Sequence, residues 1–403
     1  MSCSKKINVI VLDVHHPEDG RINRHIKYIT NLGYIVFHIN INRYFSFLES
    51  GNFSRYGENG YRITIGNTSE TSKNRIFLQF LFVSPLLSLK IITILKKIHY
   101  NPSIPTIIHI HDYELLITAQ YLRFFLHGFI KIVYDRHEYL EILKGKNILF
   151  DYIPLFYEKF SKKRIDGLVD ISESHLEKIK SQFTFSKKIV IPNYPDPSFI
   201  KFIGMNNKIK KIDENKISIV YFGSLDISLD RDIYLTLEVM ESVIQKNCDG
   251  KAYVGGLTSD YLILARLNQL MLKYPNQFFY LGYVLNQDVL SYTSNATLGL
   301  FLLKSSNSVS GSSNKIYEYL MYGVIPIIKG NIENLDQIRD CSLIFSGNEK
   351  NDMIISKVDD LVADKHMMKL MSYKSWENGK IFSFDHVKER YSNLYNDILN
   401  IKI

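Results

Sequence analysis

The chain has 403 residues, 46% hydrophobic and 22% charged, which suits a globular protein with apolar material for two domains rather than one core. Three scattered cysteines, Cys3, Cys248 and Cys341, exclude a disulfide framework and a cysteine zinc site and point to a reducing cytoplasm, and the N-terminus has no signal-peptide character. The net charge of +8 is uneven: residues 1–195 hold 26 Lys and Arg against 17 Asp and Glu, and the rest hold 23 against 24.

A basic half suggests an anionic partner, either an anionic membrane surface or a lipid diphosphate. No zinc finger, helix-turn-helix or RNP pattern accompanies the charge, which argues against nucleic acid.

Ile7–Leu12 predicts a buried strand, followed by the polar loop Asp13–Gly20, helical spacing over Arg21–Leu32 closed by Gly33, and a second strand at Tyr34–Ile39. This order opens a doubly wound α/β sheet. No G-x-G-x-x-G follows the first strand, which argues against a dinucleotide fold. Asp19 is a candidate helix cap. Residues 40–75 read as a hairpin or an irregular excursion. Phe77–Leu89 is uncharged and contains Pro85, and it is too short to span a bilayer. A core helix and a helix dipping into a membrane interface both remain open, the second because Lys90, Lys96 and Lys97 follow.

Thr106–His111 predicts a strand ending in His109, His111 and Asp112. Alternating histidines suggest a metal, but no third or fourth ligand follows at suitable spacing. The strand Lys131–Arg136 ends at His137 and Glu138. A histidine there is placed for chemistry, and equally for a structural hydrogen bond. Leu168–Ser172 reads as the last strand of this half, and the prolines after Lys188–Val190 put a domain boundary near Asn193.

The second half opens with a strand at Ile217–Gly223, then a loop carrying Arg231 and a helix from Asp232. A guanidinium in that loop suits bidentate phosphate binding. Asp230-Arg231-Asp232 imitates an Asp-x-Asp metal motif, yet its place at a helix start favours capping. Lys251–Gly256 and Gln277–Val284 are further strands with turns. A strand at Ala296–Leu303, a polar loop Lys304–Ser313, a helix Asn314–Tyr322 closed by Gly323 and a strand Val324–Ile328 follow. That loop should sit at the carboxyl end of a parallel strand, where open α/β sheets bind ligands. Lys315 falls in the first helical turn, where a cation is disfavoured by about a few tenths of a kcal/mol. A Ser/Gly loop, backbone N–H groups and this lysine together make an anion site. Glu318, on the same face, is able to accept hydrogen bonds from vicinal hydroxyls. A surface Lys315–Glu318 pair beside a serine cap accounts for the same residues.

The pattern Asn314, Lys315, Glu318, Gly323 and Pro326 resembles the nucleotide-sugar motif of the family 4 GT-B glycosyltransferases. The resemblance implies two doubly wound Rossmann-like domains facing a central cleft, residues 1–193 on the acceptor side and 194–403 binding the donor. The last helix, about 385–403, would return to the first domain. It also implies that Lys315, Asn314 and Arg231 meet the donor diphosphate and that Glu318 holds the ribose. Tyr283 and Val284 would lie beside the base. The family has an acidic residue eight positions before the glutamate, where this chain has Ser310; Ser310, Gly311, Ser312 and Ser313 would form the donor-sugar loop. Pro17-x-Asp19-x-Arg21 is similar to the family's first loop, and His109-x-His111-Asp112 to a strand end that binds no metal. By this likeness Asp19, Gly20, Arg21, His111, Asp112 and Glu138 lie on the acceptor side, and His137 is catalytic.

The function implied is transfer of a sugar, with retention, from a UDP- or GDP-linked donor to a glycan or lipid-linked acceptor in bacterial surface polysaccharide synthesis (capsule or O-antigen). No metal or cofactor is required. The implied location is cytoplasmic, with a peripheral position at the inner face of the plasma membrane left open by the basic half. Two alternatives share the architecture. One is a catalytically silent partner subunit, which Ser310 raises. The other is a sugar-nucleotide epimerase, which needs carboxylates and histidines for proton transfer to carbon and has no use for a basic acceptor face.

Overall fold

The computed structural model describes residues 6–16, 19–42, 52–56, 58–65, 76–137, 148–198, 216–227, 230–304, 309–310 and 313–401. The chain forms two compact units, Met1–Pro192 with Val387–Ile403, and Asn193–His386.

In the first unit the elements run β1 (Asn8–Asp13), α1 (Gly20–Asn31), β2 (Ile35–Ile41), β3 (Asn52–Tyr56), β4 (Gly60–Ile65), α2 (Ile76–Lys97), β5 (Thr106–His111), α3 (Leu116–Phe125), β6 (Ile130–Arg136), α4 (Ile148–Ser161), β7 (Gly167–Asp170), α5 (Glu173–Ile179) and β8 (Lys187–Val190). The sheet order is β3-β4-β2-β1-β5-β6-β7-β8, parallel except for the β3–β4 hairpin. Val9, Ile10, Val11, Leu12, Ile107 and Ile108 are buried, as strands covered on both faces require. The chain leaves β1 toward β2 and later places β5 on the other flank, so the loops after β1 and β5 open the crevice where such sheets bind ligands.

Two expectations change here. Strand β7 is not the last of this half, because Lys187–Val190 pairs with it in parallel as an edge strand. Its exposed Lys187 and short length, normal for an edge, hid it among the proline signals. Phe77–Leu89 is the first part of a 22-residue helix that runs through Pro85. Leu87, Ile91 and Leu95 of that helix are buried, and Ser88 Oγ donates to the Thr118 carbonyl of α3 at 3.1 Å, so one face of α2 packs into the core while Leu86 and Leu89 are exposed. Among the described residues no helix is long and apolar enough to cross a membrane.

The second unit runs β9 (Ser218–Phe222), α6 (Ile233–Lys246), β10 (Lys251–Gly255), α7 (Tyr261–Lys273), β11 (Phe278–Tyr280), α8 (Asn286–Ser294), β12 (Leu298–Leu302), β13 (Val309–Ser310), α9 (Asn314–Met321), β14 (Ile325–Lys329), β15 (Asn331–Ile332), α10 (Leu335–Ile338), β16 (Leu343–Phe345), α11 (Asn351–Ala363) and α12 (Lys365–Ile381). Its main sheet, β11-β10-β9-β12-β14-β16, is parallel throughout, with the topological switch between β9 and β12. Gly323, at φ +67°, ends α9 in the left-handed conformation that glycine adopts without strain. The final helix, α13 (Glu389–Leu399), is part of the first unit: Tyr391, Leu394 and Tyr395 are buried, and Arg390 Nη1 donates to the Val190 carbonyl at 2.7 Å.

Candidate functional site

At the switch point of the second unit two cations converge on bare backbone. Gly223 follows the end of strand β9, and a Cβ there would lie 2.5 Å from Lys315 Nζ. Alanine at that position would push the ammonium aside. At the neighbouring Gly256, φ +149°, a Cβ would lie 1.8 Å from the Gly223 carbonyl oxygen, so that turn requires glycine. The Lys315 amine also sits 5.4 Å from the centre of the Tyr221 ring. It therefore points into the end of the sheet and not outward as half of a surface pair, and Ser313 makes no side-chain cap bond.

Arg231 reaches the same place from the other flank. It forms an antiparallel bridge with Leu303, while Asp232 N–H donates to the Leu302 carbonyl (2.9 Å) and Lys304 N–H to the Asp230 carbonyl (2.8 Å). Its guanidinium lies 4.6 Å from the Phe301 ring centre and bonds Asp230 at 2.9 Å. Asp232 caps α6 by accepting from Leu235 N–H and is paired with Lys329 at 2.9 Å. Burial, then the Arg231 charge, push the Lys315 amine down to about 8, with Glu318 and Asp230 offsetting part of the effect. A site that disfavours its own cation in this way favours an anion.

Other donor-side residues are placed as follows. Glu318 is partly buried on α9 and Asn314 is exposed at its start. Ser310 pairs with Ile332 in the small β13–β15 ladder, a strand inside the loop that the sequence did not suggest. Gly311 and Ser312 lie outside the described residues, as does Glu138 in the first unit. Tyr283 is exposed after the left-handed Gly282 (φ +63°), and Val284 packs so near Gly255 that a Cβ there would be 2.9 Å away.

The first unit gathers histidines at the carboxyl ends of β1, β5 and β6. His137 Nε2 meets His111 Nδ1 at 2.9 Å, His111 Nε2 meets His25 Nδ1 at 3.2 Å, and the Tyr395 hydroxyl bonds both His25 Nε2 (2.8 Å) and His109 Nδ1 (2.7 Å). Burial holds His25, His109, His111 and His137 below the ordinary range, so these rings are neutral hydrogen-bonding groups. Beneath them Asp135 pairs with Arg21 at 2.7 Å and accepts from the Tyr391 hydroxyl at 3.0 Å. Burial alone would raise that carboxyl; the Arg21 charge outweighs it and holds the group well below the carboxylate range.

A second pair stands nearer solvent. His15 Nε2 lies 2.8 Å from Asp112 Oδ2, and Asp112 Oδ1 accepts from His137 N–H at 3.2 Å. Asp112 has φ +67°, a strained conformation for a residue with a side chain. Burial opposes a charge on His15, yet the hydrogen bond and charge of Asp112 lift it to about 9. Burial likewise opposes the Asp112 charge, but His137 and His15 hold that carboxyl at about 2.

Two acceptor-side residues are buried, and one expectation about ligand-type groups is corrected. Arg21, placed on the acceptor side by the resemblance, is 5% exposed, neutralises Asp135 and donates to the Ile191 carbonyl at 2.7 Å. A buried carboxylate needs such a counterion. His111 is wholly buried and reaches outward only through His137. Third ligand-type groups do join the histidines: among the described residues His25/His109/His111, His15/Asp112/His137 and His111/Asp135/His137 each bring ligand atoms within 4.8 Å. The hydrogen bonds above account for this spacing. Asp19 caps α1, accepting from the backbone N–H groups of Arg21 (2.9 Å) and Ile22 (3.1 Å), with Gly20 beside it in the first turn.

No family model matches this chain, and no curated protein matches it. Solved structures do. A sucrose-phosphate synthase from Thermosynechococcus elongatus matches at 13% identity and TM-score 0.70, over 99% of this chain and 100% of its own. A structure from E. coli, named for trehalose-6-phosphate and bound with UDP-2-fluoro glucose, matches at 13% identity and TM-score 0.68, over 96% and 98%. A trehalose-6-phosphate synthase used to study glycosyltransfer with retention matches at 12% identity and TM-score 0.67, over 96% and 99%. The likeness is one of fold. The chain has the two Rossmann-like sheets of the GT-B glycosyltransferase structures, and these neighbours do not single out family 4.

Proposed function

We propose that the protein is a GT-B glycosyltransferase that moves a sugar, with retention, from a nucleotide-diphosphate sugar to a glycan or lipid-linked acceptor of surface polysaccharide synthesis. The observation that carries this reading is Lys315 against the Gly223 backbone at the β9/β12 switch point, close enough to Arg231 to feel its charge. Cations held there before a ligand arrives stabilise the charge that develops on a departing diphosphate, which is the main task in this reaction. Glu318, one turn on from Lys315, is assigned to the ribose, and Tyr283 and Val284 to the base. A UDP-linked donor is favoured over a GDP-linked one because a structural neighbour is bound with UDP-2-fluoro glucose.

At the carboxyl end of the first sheet, His137 is assigned to the reacting sugar or the acceptor hydroxyl. Its ring is oriented by His111 and its backbone by Asp112, so it is presented in one geometry, as a positioning role requires. The basic balance of residues 1–195 supports an acceptor carried on an anionic lipid. A thermal-shift screen of nucleotide sugars, followed by transfer of the labelled hit to lipid extract and to soluble glycans, tests the reading. Stabilisation by a nucleotide sugar with label appearing in a glycan supports it. No stabilisation by any nucleotide sugar overturns it.

A further inference from the structure

On the first unit, away from the histidine cluster, four aromatic rings stand in solvent: Phe124 is 78% exposed, Phe156 56%, Phe160 54% and Phe129 49%. They share one surface because the ends of α3 and α4 and the start of β6 are tied together. Gln120 Nε2 donates to Ser161 Oγ at 2.6 Å, Arg123 Nη1 to the Arg164 carbonyl at 3.0 Å, and Arg123 and Lys131 both bond Asp166. Phe124 follows Arg123 and Phe160 precedes Ser161. The Phe129 ring lies 5.4 Å from the Lys131 amine, and the Phe160 ring, stacked on Phe156, lies 5.5 Å from the Arg164 guanidinium.

The charge around these rings has one sign. Segments 121–131 and 155–166 hold six Lys and Arg and two carboxylates, Glu158 and Asp166. Glu158 is buried against Arg136 and the Tyr134 hydroxyl, and Asp166 is taken by Arg123 and Lys131. Lys159, Lys163 and Arg164 are exposed and Lys162 partly so, all next to Phe160. Protein interfaces deplete lysine at their cores. Aromatic rings set among exposed lysines instead match the boundary of an anionic bilayer, where rings enter the headgroup layer and ammonium groups meet phosphates. We infer that the surface formed by the ends of α3 and α4 docks the protein on an anionic phospholipid membrane. The inference does not depend on donor chemistry, so it stands or falls apart from the proposed function.

The test uses the full chain with vesicles of phosphatidylcholine alone and with added phosphatidylglycerol, at low and high salt. Partitioning should require the anionic lipid and fall with salt. A double charge reversal, Lys162→Glu with Lys163→Glu, should lower it by at least about 25-fold, since each cation near such a surface contributes about fivefold. The pair Phe124→Ser and Phe160→Ser should weaken binding at both salt concentrations, with circular dichroism and melting temperature unchanged as checks on folding. Equal binding of the variants and the parent chain overturns the inference, as does absence of binding to anionic vesicles. A dimer that the Phe124→Ser, Phe160→Ser pair dissociates, without lipid binding, assigns the surface to a second copy and overturns it too.

Discussion

Lys315→Met should stabilise the ligand-free second unit while removing most of its affinity for a nucleotide diphosphate. The amine falls from its ordinary 10.5 to about 8 because burial and Arg231 both oppose its charge. At pH 7 it is protonated in the folded and the unfolded chain, so the folded state carries the whole cost. At about 1.36 kcal/mol per pH unit, and allowing for solvent screening of a partly buried group, this is about 1–3 kcal/mol. Methionine keeps the apolar stem and drops the charge, so the melting temperature should rise by about 2–4 °C per kcal/mol recovered. UDP affinity should fall by about 2–3 kcal/mol, the scale of a charge-assisted phosphate contact. The pH dependence has a definite sign. The folded amine releases its proton near 8 and the unfolded one near 10.5, so this group's contribution to wild-type stability rises across that interval and UDP affinity falls. The variant should show neither slope. Thermal unfolding with and without UDP at pH 7 and pH 9, with calorimetry for affinity, measures all of this. A variant that melts lower than wild type and binds UDP unchanged would refute the reasoning.

Three further perturbations address the first unit. Asp135→Asn leaves Arg21 buried without its counterion and should cost about 3–5 kcal/mol. Denaturation followed by circular dichroism should reveal that loss, while fluorescence of the single tryptophan, Trp376 in α12, should report an unchanged second unit. The His15–Asp112 pair should stabilise this unit fully between about pH 4 and 6.5; its contribution is lost as pH rises toward 9, where His15 gives up its proton, and as pH falls through about 2, where Asp112 gains one. His15→Gln should flatten the alkaline part of the melting curve, and a slope identical to wild type would exclude this pair as its source. His137→Ala should lower turnover by about 10²–10⁴-fold and stability by only about 1 kcal/mol, from the lost bond to His111. Near wild-type turnover in the folded variant would leave His137 a structural residue.

The sequence revealed what is written locally. Apolar runs such as Ile7–Leu12 and Ala296–Leu303 announce doubly covered strands, and Gly33 and Gly323 mark helix ends, so the alternating architecture was legible. Lys315 was visible because it breaks the preference of a first helical turn. The Arg21–Asp135 pair was not. Its partners lie 114 residues apart, and nothing beside Arg21 at its helix start announces a buried carboxylate. The histidine cluster depends on Tyr391 and Tyr395, whose helical spacing announces only a buried face and not what it will bond. Strand β8 escaped notice because an edge strand of four residues carrying two lysines has neither the length nor the burial that makes a strand readable.

The placement of α13 bears on how the chain is made. The Tyr395 hydroxyl that bonds His25 is supplied 370 residues later, whereas Asn193–His386 is one uninterrupted segment with its own core. During synthesis the unit that leaves the ribosome first therefore finishes last. The Tyr391 bond to Asp135 and the Tyr395 bonds to His25 and His109 cannot form until the final helix has emerged, while the second unit can close on its own. A message truncated before Tyr391 would yield a sound second unit joined to a first unit with an open core, the kind of half-folded product that proteases remove.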